Sequence, residues 1–299
     1  MMVKFIRKQS YAWLPVCILI LTLVFSLATA QDDETLEVRY LPPESETDQR
    51  SQYYFNLLEL ALEKTENSHG PYEMIPADSL TQRQALKAVN TGRGLDVVHT
   101  MTTKARELVL KPVPVPLAKG LIGMRLLMVR EEDVDAFSGV SNKKDLRGYT
   151  FGQGHDWPDT EILEKNSLQV ITSKKYEDLF GMLERGRFDA FPRAVYEIWD
   201  EIKAHPDRNL TVEPNVMLQY PAAMYFFVRK SQEGSELASR LETGLRRAIS
   251  DGSFDELFNE YMQEYLDNAK LEERTVIKLE NPMLPPDTPL EEEDLWYIN

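Results

Sequence analysis

Gly94-Leu95-Asp96-Val97-Val98-His99-Thr100-Met101-Thr102-Thr103-Lys104-Ala105-Arg106 is the stretch on which the reading of the fold turns. Gly92 and Gly94 lead the chain into it, and Leu95 to Val98 reads as a short strand. From His99 onward the chain turns polar and carries three threonines and two cations. Upstream, Thr81 to Asn90 reads as a helix and Tyr72 to Ile75 as a strand. Between Tyr53 and Lys64, Tyr54, Leu57, Leu58, Ala61 and Leu62 recur at helical spacing with Glu and Lys on the other face. Leu36 to Leu41 alternates apolar and charged residues and stops at Pro42-Pro43, which cannot continue a ladder. Strands and helices alternating in this way predict an α/β lobe on a mostly parallel sheet. Ligands of such lobes lie beyond the carboxyl ends of the strands. That rule singles out the loop 42–50 and the segment 99–106.

Downstream, Leu121 to Arg130 is a long apolar run that fits a buried strand, and 133–147 is a polar connection. A second α/β unit follows: strand 149–153, helix within 155–166, strand 168–172, helix 176–186 and strand 188–191. Ala222 to Val228 is a further apolar strand, and amphipathic helices cover 235–250 and 254–265. Asn281 to Asn299 is rich in proline and acid until Leu295-Trp296-Tyr297, and reads as an extended tail.

The first thirty residues combine a basic start (Lys4, Arg7, Lys8), an apolar run from Ala12 to Leu27 broken by Pro15, and the small-residue site Ala28-Thr29-Ala30. This is the pattern of a cleaved secretory signal, with a mature chain beginning at Gln31 and a periplasmic destination. The one cysteine, Cys17, falls inside that run, so a mature chain has neither disulfides nor thiolate chemistry. Loss of three basic residues makes the formal charge of -15 three units more negative, which disfavours nucleic acid as a partner.

Four pieces of the chain carry a resemblance. The first is the strand at 95–98 followed by Thr103-x-x-Arg106. The second is Leu146-Arg147-Gly148-Tyr149-Thr150-Phe151-Gly152-Gln153-Gly154. The third is Gly186-Arg187-Phe188-Asp189-Ala190, and the fourth is Asp251-Gly252-Ser253-Phe254-Asp255 with Tyr261 beyond. Together they resemble solute-binding protein family 3, the polar amino acid type with the type II periplasmic binding fold, over roughly Leu36 to Tyr265. The resemblance implies two α/β lobes joined by two crossing hinge strands: 31–122 plus 224–270 as lobe one, 123–223 as lobe two, and 271–299 as an acidic tail. It implies a monomer that closes on a small molecule for an ABC-type importer.

In that family the arginine of T-x-x-R clamps the ligand carboxylate, a role that falls here to Arg106, with Thr103 beside it. A planar guanidinium presents two parallel donors to two carboxylate oxygens. The Gln153-Gly154 turn opens the second lobe's helix, and His155, Asp156 and Trp157 stand where small hydroxyl residues are common. Asp156 is a candidate cap and Trp157 a candidate stacking surface, while the helix's first amides form an anion seat. The family's aspartate for a ligand amino group is missing, and the sequence runs Phe191-Pro192-Arg193-Ala194 instead. Arg106 and Arg193 facing one cleft imply an anionic ligand, with two acidic groups or without an amino group. Arg50 in the first loop is a further candidate.

Each assignment has a plainer counterpart. Arg106 would serve as a surface ion-pair partner, Arg193 would pair with Glu197 one helical turn later, and Trp157 would be core. His99 and His155 lack metal-ligand spacing, so neither metal nor cofactor is expected. Two other functions compete with solute capture. One is a ligand-reporting or degenerate protein that docks on a membrane receptor, a reading to which the acidic tail with Trp296 and Tyr297 lends support. The other is a small-acid dehydratase-like enzyme using His155, Asp156 or Asp48 as acid or base. No nucleophile elbow or phosphate loop is present, and the chain is read as no enzyme.

Overall fold

The computed structural model describes residues 35–42 and 49–297, with backbone only at 49 and 50. The expected signal peptide, Asp48 and the Arg50 side chain lie outside the described residues. In chain order the first elements are β1 (Leu36–Tyr40), α1 (Gln49–Glu63), α2 (Glu66–His69), β2 (Tyr72–Pro76), α3 (Gln82–Thr91), β3 (Val97–Met101), α4 (Lys104–Val109) and β4 (Leu110–Val113). The second group is β5 (Met124–Arg130), β6 (Thr150–Gly154), α5 (Pro158–Lys165), β7 (Gln169–Ser173), α6 (Tyr176–Glu184), β8 (Phe191–Ala194), α7 (Ile198–Ala204) and β9 (Leu210–Gln219). The chain then returns through β10 (Met224–Arg229), α8 (Gln232–Asp251) and α9 (Ser253–Ala269), and ends with β11 (Thr275–Lys278) and a nonregular segment.

The strands divide into two sets, one for each lobe of an α/β architecture. β1 pairs with β2 in parallel, and β10 lies antiparallel between β3 and β4. In the other lobe β6 pairs with β7 in parallel, and the order β11-β9-β5-β8 forms a four-stranded sheet. In place of the expected mostly parallel sheet, the first lobe has a parallel pair, β1-β2, and an antiparallel trio, β3-β10-β4, because β10 comes back from the far end of the sequence and enters reversed. Two connections join the sets, 114–123 and 220–223, and the segment after α9 crosses a third time to place β11 beside β9.

Local chemistry sets the boundaries near the cleft. Thr81 and Gln84 form a reciprocal capping box at the start of α3, which satisfies two backbone donors that the helix itself leaves unpaired. The strand expected at 95–98 begins two residues later. Asp96 is held outside it, its amide on the Arg39 carbonyl and its carboxylate on the Arg39 amide and guanidinium. The core runs through both lobes: Tyr53, Leu57 and Leu58 of α1 are buried with Leu241 and Leu245 of α8, and Phe151, Phe180, Phe188 and Phe191 fill the second lobe. No described helix is long and apolar enough to cross a membrane.

Candidate functional site: a cavity between the lobes

A cavity of about 230 Å3 opens beyond the carboxyl end of β3, lined by α1, α3 and β3 on one side and by β5, α5 and β8 on the other. Arg106 reaches its wall from the first turns of α4. Thr103 caps this helix, its hydroxyl accepting from the Arg106 amide at 3.1 Å. The guanidinium donates to the Met101 carbonyl at 2.6 Å and to Gln82 Oε1 at 3.0 Å. Among the described residues no carboxylate lies within 4.0 Å of it. Burial pulls its pKa down to about 10, against a partial offset from the charge of Asp159. It remains a cation at neutral pH, and its hydrogen-bond acceptors among the described residues are neutral.

The other cavity arginines are neutralised by the chain itself. Arg125, the second residue of β5, lies 2.5 Å from Asp159 Oδ1 and 3.3 Å from Glu197 Oε2, and its Nε donates to the Tyr220 hydroxyl at 2.9 Å. The Tyr220 hydroxyl in turn donates to Asp159. Arg193 makes a bidentate pair with Glu201, at 2.6 and 2.5 Å, and approaches Glu197 at 3.0 Å. Burial alone would lower both guanidiniums. Asp159, Tyr220 and Glu197 more than offset this for Arg125, as Glu197 and Glu201 do for Arg193, so both stand above the ordinary arginine range. Arg193 is also stacked, with its guanidinium carbon 4.8 Å from the Trp157 ring and 5.0 Å from that of Phe191.

A second anionic ligand group therefore has no support from Arg193. It required Arg193 to face the cleft without an acid, and Glu201 and Glu197 supply two. The helix-end anion seat is likewise altered, because Asp159 places a carboxylate in the first turn of α5. Asp156 does not cap that helix. It forms an exposed ion pair with Arg83 of α3 at 3.0 Å, linking the lobes at the mouth of the cleft.

Of the other sequence candidates, Trp157 lines the cavity. Gln153 is buried, with Nε2 donating to the Pro192 carbonyl at 3.2 Å and Oε1 without a partner among the described residues. His155 is exposed, its ring 3.5 Å from the Thr172 hydroxyl, and Thr103 acts as the α4 cap. Sequence reasoning missed Arg125, Asp159 and the aromatic wall of Tyr54 and Tyr196, whose hydroxyls are 3.0 Å apart and whose Tyr54 ring stacks on His99 at 4.1 Å. One signal was available: Arg125 is a lone cation inside the apolar run 121–129, and a buried charge demands a partner.

No protein-family model matches the chain, and no curated protein matches it. Solved structures do. An ancestral arginine-binding protein bound to arginine superposes with a TM-score of 0.54 at 17% identity, covering 76% of this chain and 97% of that one. A histidine kinase sensor domain with similarity to periplasmic binding proteins gives 0.55 at 18% identity, covering 77% and 96%. An ancestral amino-acid-binding protein, a precursor of cyclohexadienyl dehydratase, gives 0.51 at 16%, covering 76% and 94%. With two sheet systems, a cleft between them and chain connections passing across it, the protein has the two-lobed type II periplasmic binding-protein fold.

Proposed function

We propose that the chain is an exported solute-binding protein that captures a small carboxylate-bearing molecule between its lobes and delivers it, as a monomer, to a membrane importer. The observation that carries this reading is Arg106, a cleft-wall guanidinium whose partners among the described residues are the Met101 carbonyl and Gln82. A carboxylate offers it a charge-assisted, two-pronged partner stronger than either neutral acceptor. Arg193 and Arg125 already have acids, so one acidic group on the ligand suffices. Tyr54, Tyr196 and Trp157 give the remainder of that ligand an aromatic surface. Export is supported by the three-part pattern of residues 1–30.

A dehydratase-like activity is the weaker reading. Asp159 and Glu197, the carboxylates among the described cavity residues, are both held by arginines, which occupies the oxygens that general acid–base catalysis would need. Delivery to a receptor in place of an importer has the sensor domain among the similar structures on its side.

A thermal-shift screen of Gln31 to Asn299 against amino acids, mono- and dicarboxylates, keto acids and sugars tests the proposal. A ligand at about 100 times its dissociation constant adds roughly 2.7 kcal/mol. Stabilisation by an acid that Arg106→Ala abolishes is the expected result. Stabilisation by a neutral sugar alone, or an equal shift in Arg106→Ala, would overturn the carboxylate clamp.

A further inference from the structure

The segment that follows β11 touches both lobes and both connections between them. On the second lobe, Asn166 at the end of α5 exchanges two hydrogen bonds with the backbone of Glu280, at 2.7 and 3.0 Å, and the Leu279 amide donates to the Gln219 carbonyl at 2.7 Å. At the connections, Asn281 donates to the Pro221 carbonyl at 2.9 Å and the Tyr297 amide donates to the Lys119 carbonyl at 2.8 Å. On the first lobe, Lys104 donates through its amide to Met283 O at 2.9 Å and through Nζ to Pro282 O at 2.8 Å. Arg246 of α8 pairs with Glu292 at 2.9 Å.

Gly120 shows how closely the segment fits. It has φ +79°, and a Cβ there would stand 2.6 Å from the Trp296 ring. Trp296 is itself fixed by its indole N–H on the Pro289 carbonyl at 2.8 Å. The connection at 120 therefore needs glycine twice, for its left-handed backbone and for the indole that covers it.

The tether is short. Glu280 is anchored to the second lobe and Met283 to the first, and three residues span at most about 10 Å. A rotation that opens the cleft by separating Asn166 from Lys104 beyond that reach must break one of the anchors. We propose that residues 279–297 form a strap that holds the lobes at their resting angle, so that opening the cleft requires release of the strap from Lys104 or from the connection at Gly120.

The test needs no ligand and is independent of the solute-binding reading. Nitroxides at Lys87→Cys on α3 and Glu161→Cys on α5, both exposed positions, in the chain of residues 31–299, which has no cysteine of its own, report the distance across the cleft by double electron–electron resonance. Two strap variants are compared with the parent: Trp296→Ala, and a chain ending at Asn281. The expected result is one narrow distribution for the parent and a longer, broader component in both variants. A truncated chain that melts cooperatively yet keeps the parent distribution overturns the proposal. Should the truncated chain fail to fold, Trp296→Ala decides: an unchanged distribution overturns the strap, and a longer one supports it.

Discussion

Arg193 and Glu201 are each less than a tenth exposed and are joined by two hydrogen bonds. Removing one partner of such a pair leaves a buried charge uncompensated, at a cost of about 3–5 kcal/mol. In Glu201→Gln the guanidinium keeps Glu197 at 3.0 Å and gains a neutral acceptor. The loss is therefore expected near the lower limit, about 3 kcal/mol, which lowers the melting temperature by roughly 6–12 °C in a chain of this size. Arg193→Met should lose a similar amount, since the buried Glu201 carboxylate then loses both hydrogen bonds that Arg193 donates to it. The double variant removes the charges together, a change that tends toward neutral when the replacement packs well. A four-protein thermal denaturation cycle should thus give a coupling energy of about 2 kcal/mol or more, where independent sites add to within about 0.5 kcal/mol. Additive losses would refute the pairing. The same proteins separate the two roles open to Arg193: a ligand-induced thermal shift retained in the double variant assigns it to structure, and its loss assigns it to recognition.

Arg83 and Asp156 form an exposed pair across the cleft mouth, worth under about 1 kcal/mol; Arg83→Asp should weaken ligand binding by no more than about fivefold at low salt, and adding Asp156→Arg should restore it. Titration calorimetry at low and physiological salt checks this, and indifference to both changes would show that the pair does not bridge the lobes. Gly244 lies where α8 meets α1, and an added Cβ would stand 1.9 Å from the Ala61 carbonyl oxygen. Gly244→Ala should therefore cost about 2–3 kcal/mol, seen as a lower urea midpoint at unchanged slope, and an unshifted midpoint would contradict this helix contact. Asp251 is held at a pKa of about 2, chiefly by hydrogen bonds from Lys64 and Ser253. Its folded pKa lies below the unfolded one, so its contribution is complete above about pH 4 and lost as pH falls toward 2. The difference in melting temperature between the parent and Asp251→Asn should shrink over that window, whereas a constant difference would assign it to another cause.

The lobes were legible because their signals are local. The helical spacing of Tyr54, Leu57, Leu58, Ala61 and Leu62, the alternation at 36–41, and the apolar runs at 121–130 and 222–228 each report one buried face. β9 was not legible, because Glu213-Pro214-Asn215 interrupts it. The structure absorbs those residues as a bulge opposite Leu126 and Met128, with the Glu213 carboxylate accepting from the amides of Asn215 and Val216. The candidate site was legible only in part, for a related reason. Arg106 and Trp157 sit at places that strand-end rules select, and for Arg193 it was the plainer counterpart, pairing with the near neighbour Glu197, that named a contact present in the fold. The partners of Arg125 lie 34 and 72 residues away, at Asp159 and Glu197, and topology alone brings them together.

That difference governs what the cleft recognises. A count of cations in the sequence treats Arg106, Arg125 and Arg193 alike, yet the field a ligand meets is the charge left after the fold has satisfied its own groups. Arg125 and Arg193 are fixed by Asp159, Glu197 and Glu201, and they give the cavity a rigid polar floor and little attraction for an anion. Arg106 is also fixed, by Thr103 through its helix and by Met101 and Gln82 through its guanidinium, but none of these neutralises it. The fold thus bears the cost of desolvating one guanidinium and orients it before any ligand arrives. A carboxylate entering the cavity offsets that desolvation without having to order the arginine, which is how preorganisation becomes affinity. It follows that Arg106 should discriminate between acidic and neutral ligands, and that adding an acid beside it, as in Gln82→Glu, should stabilise the empty cleft while it weakens binding of the acid.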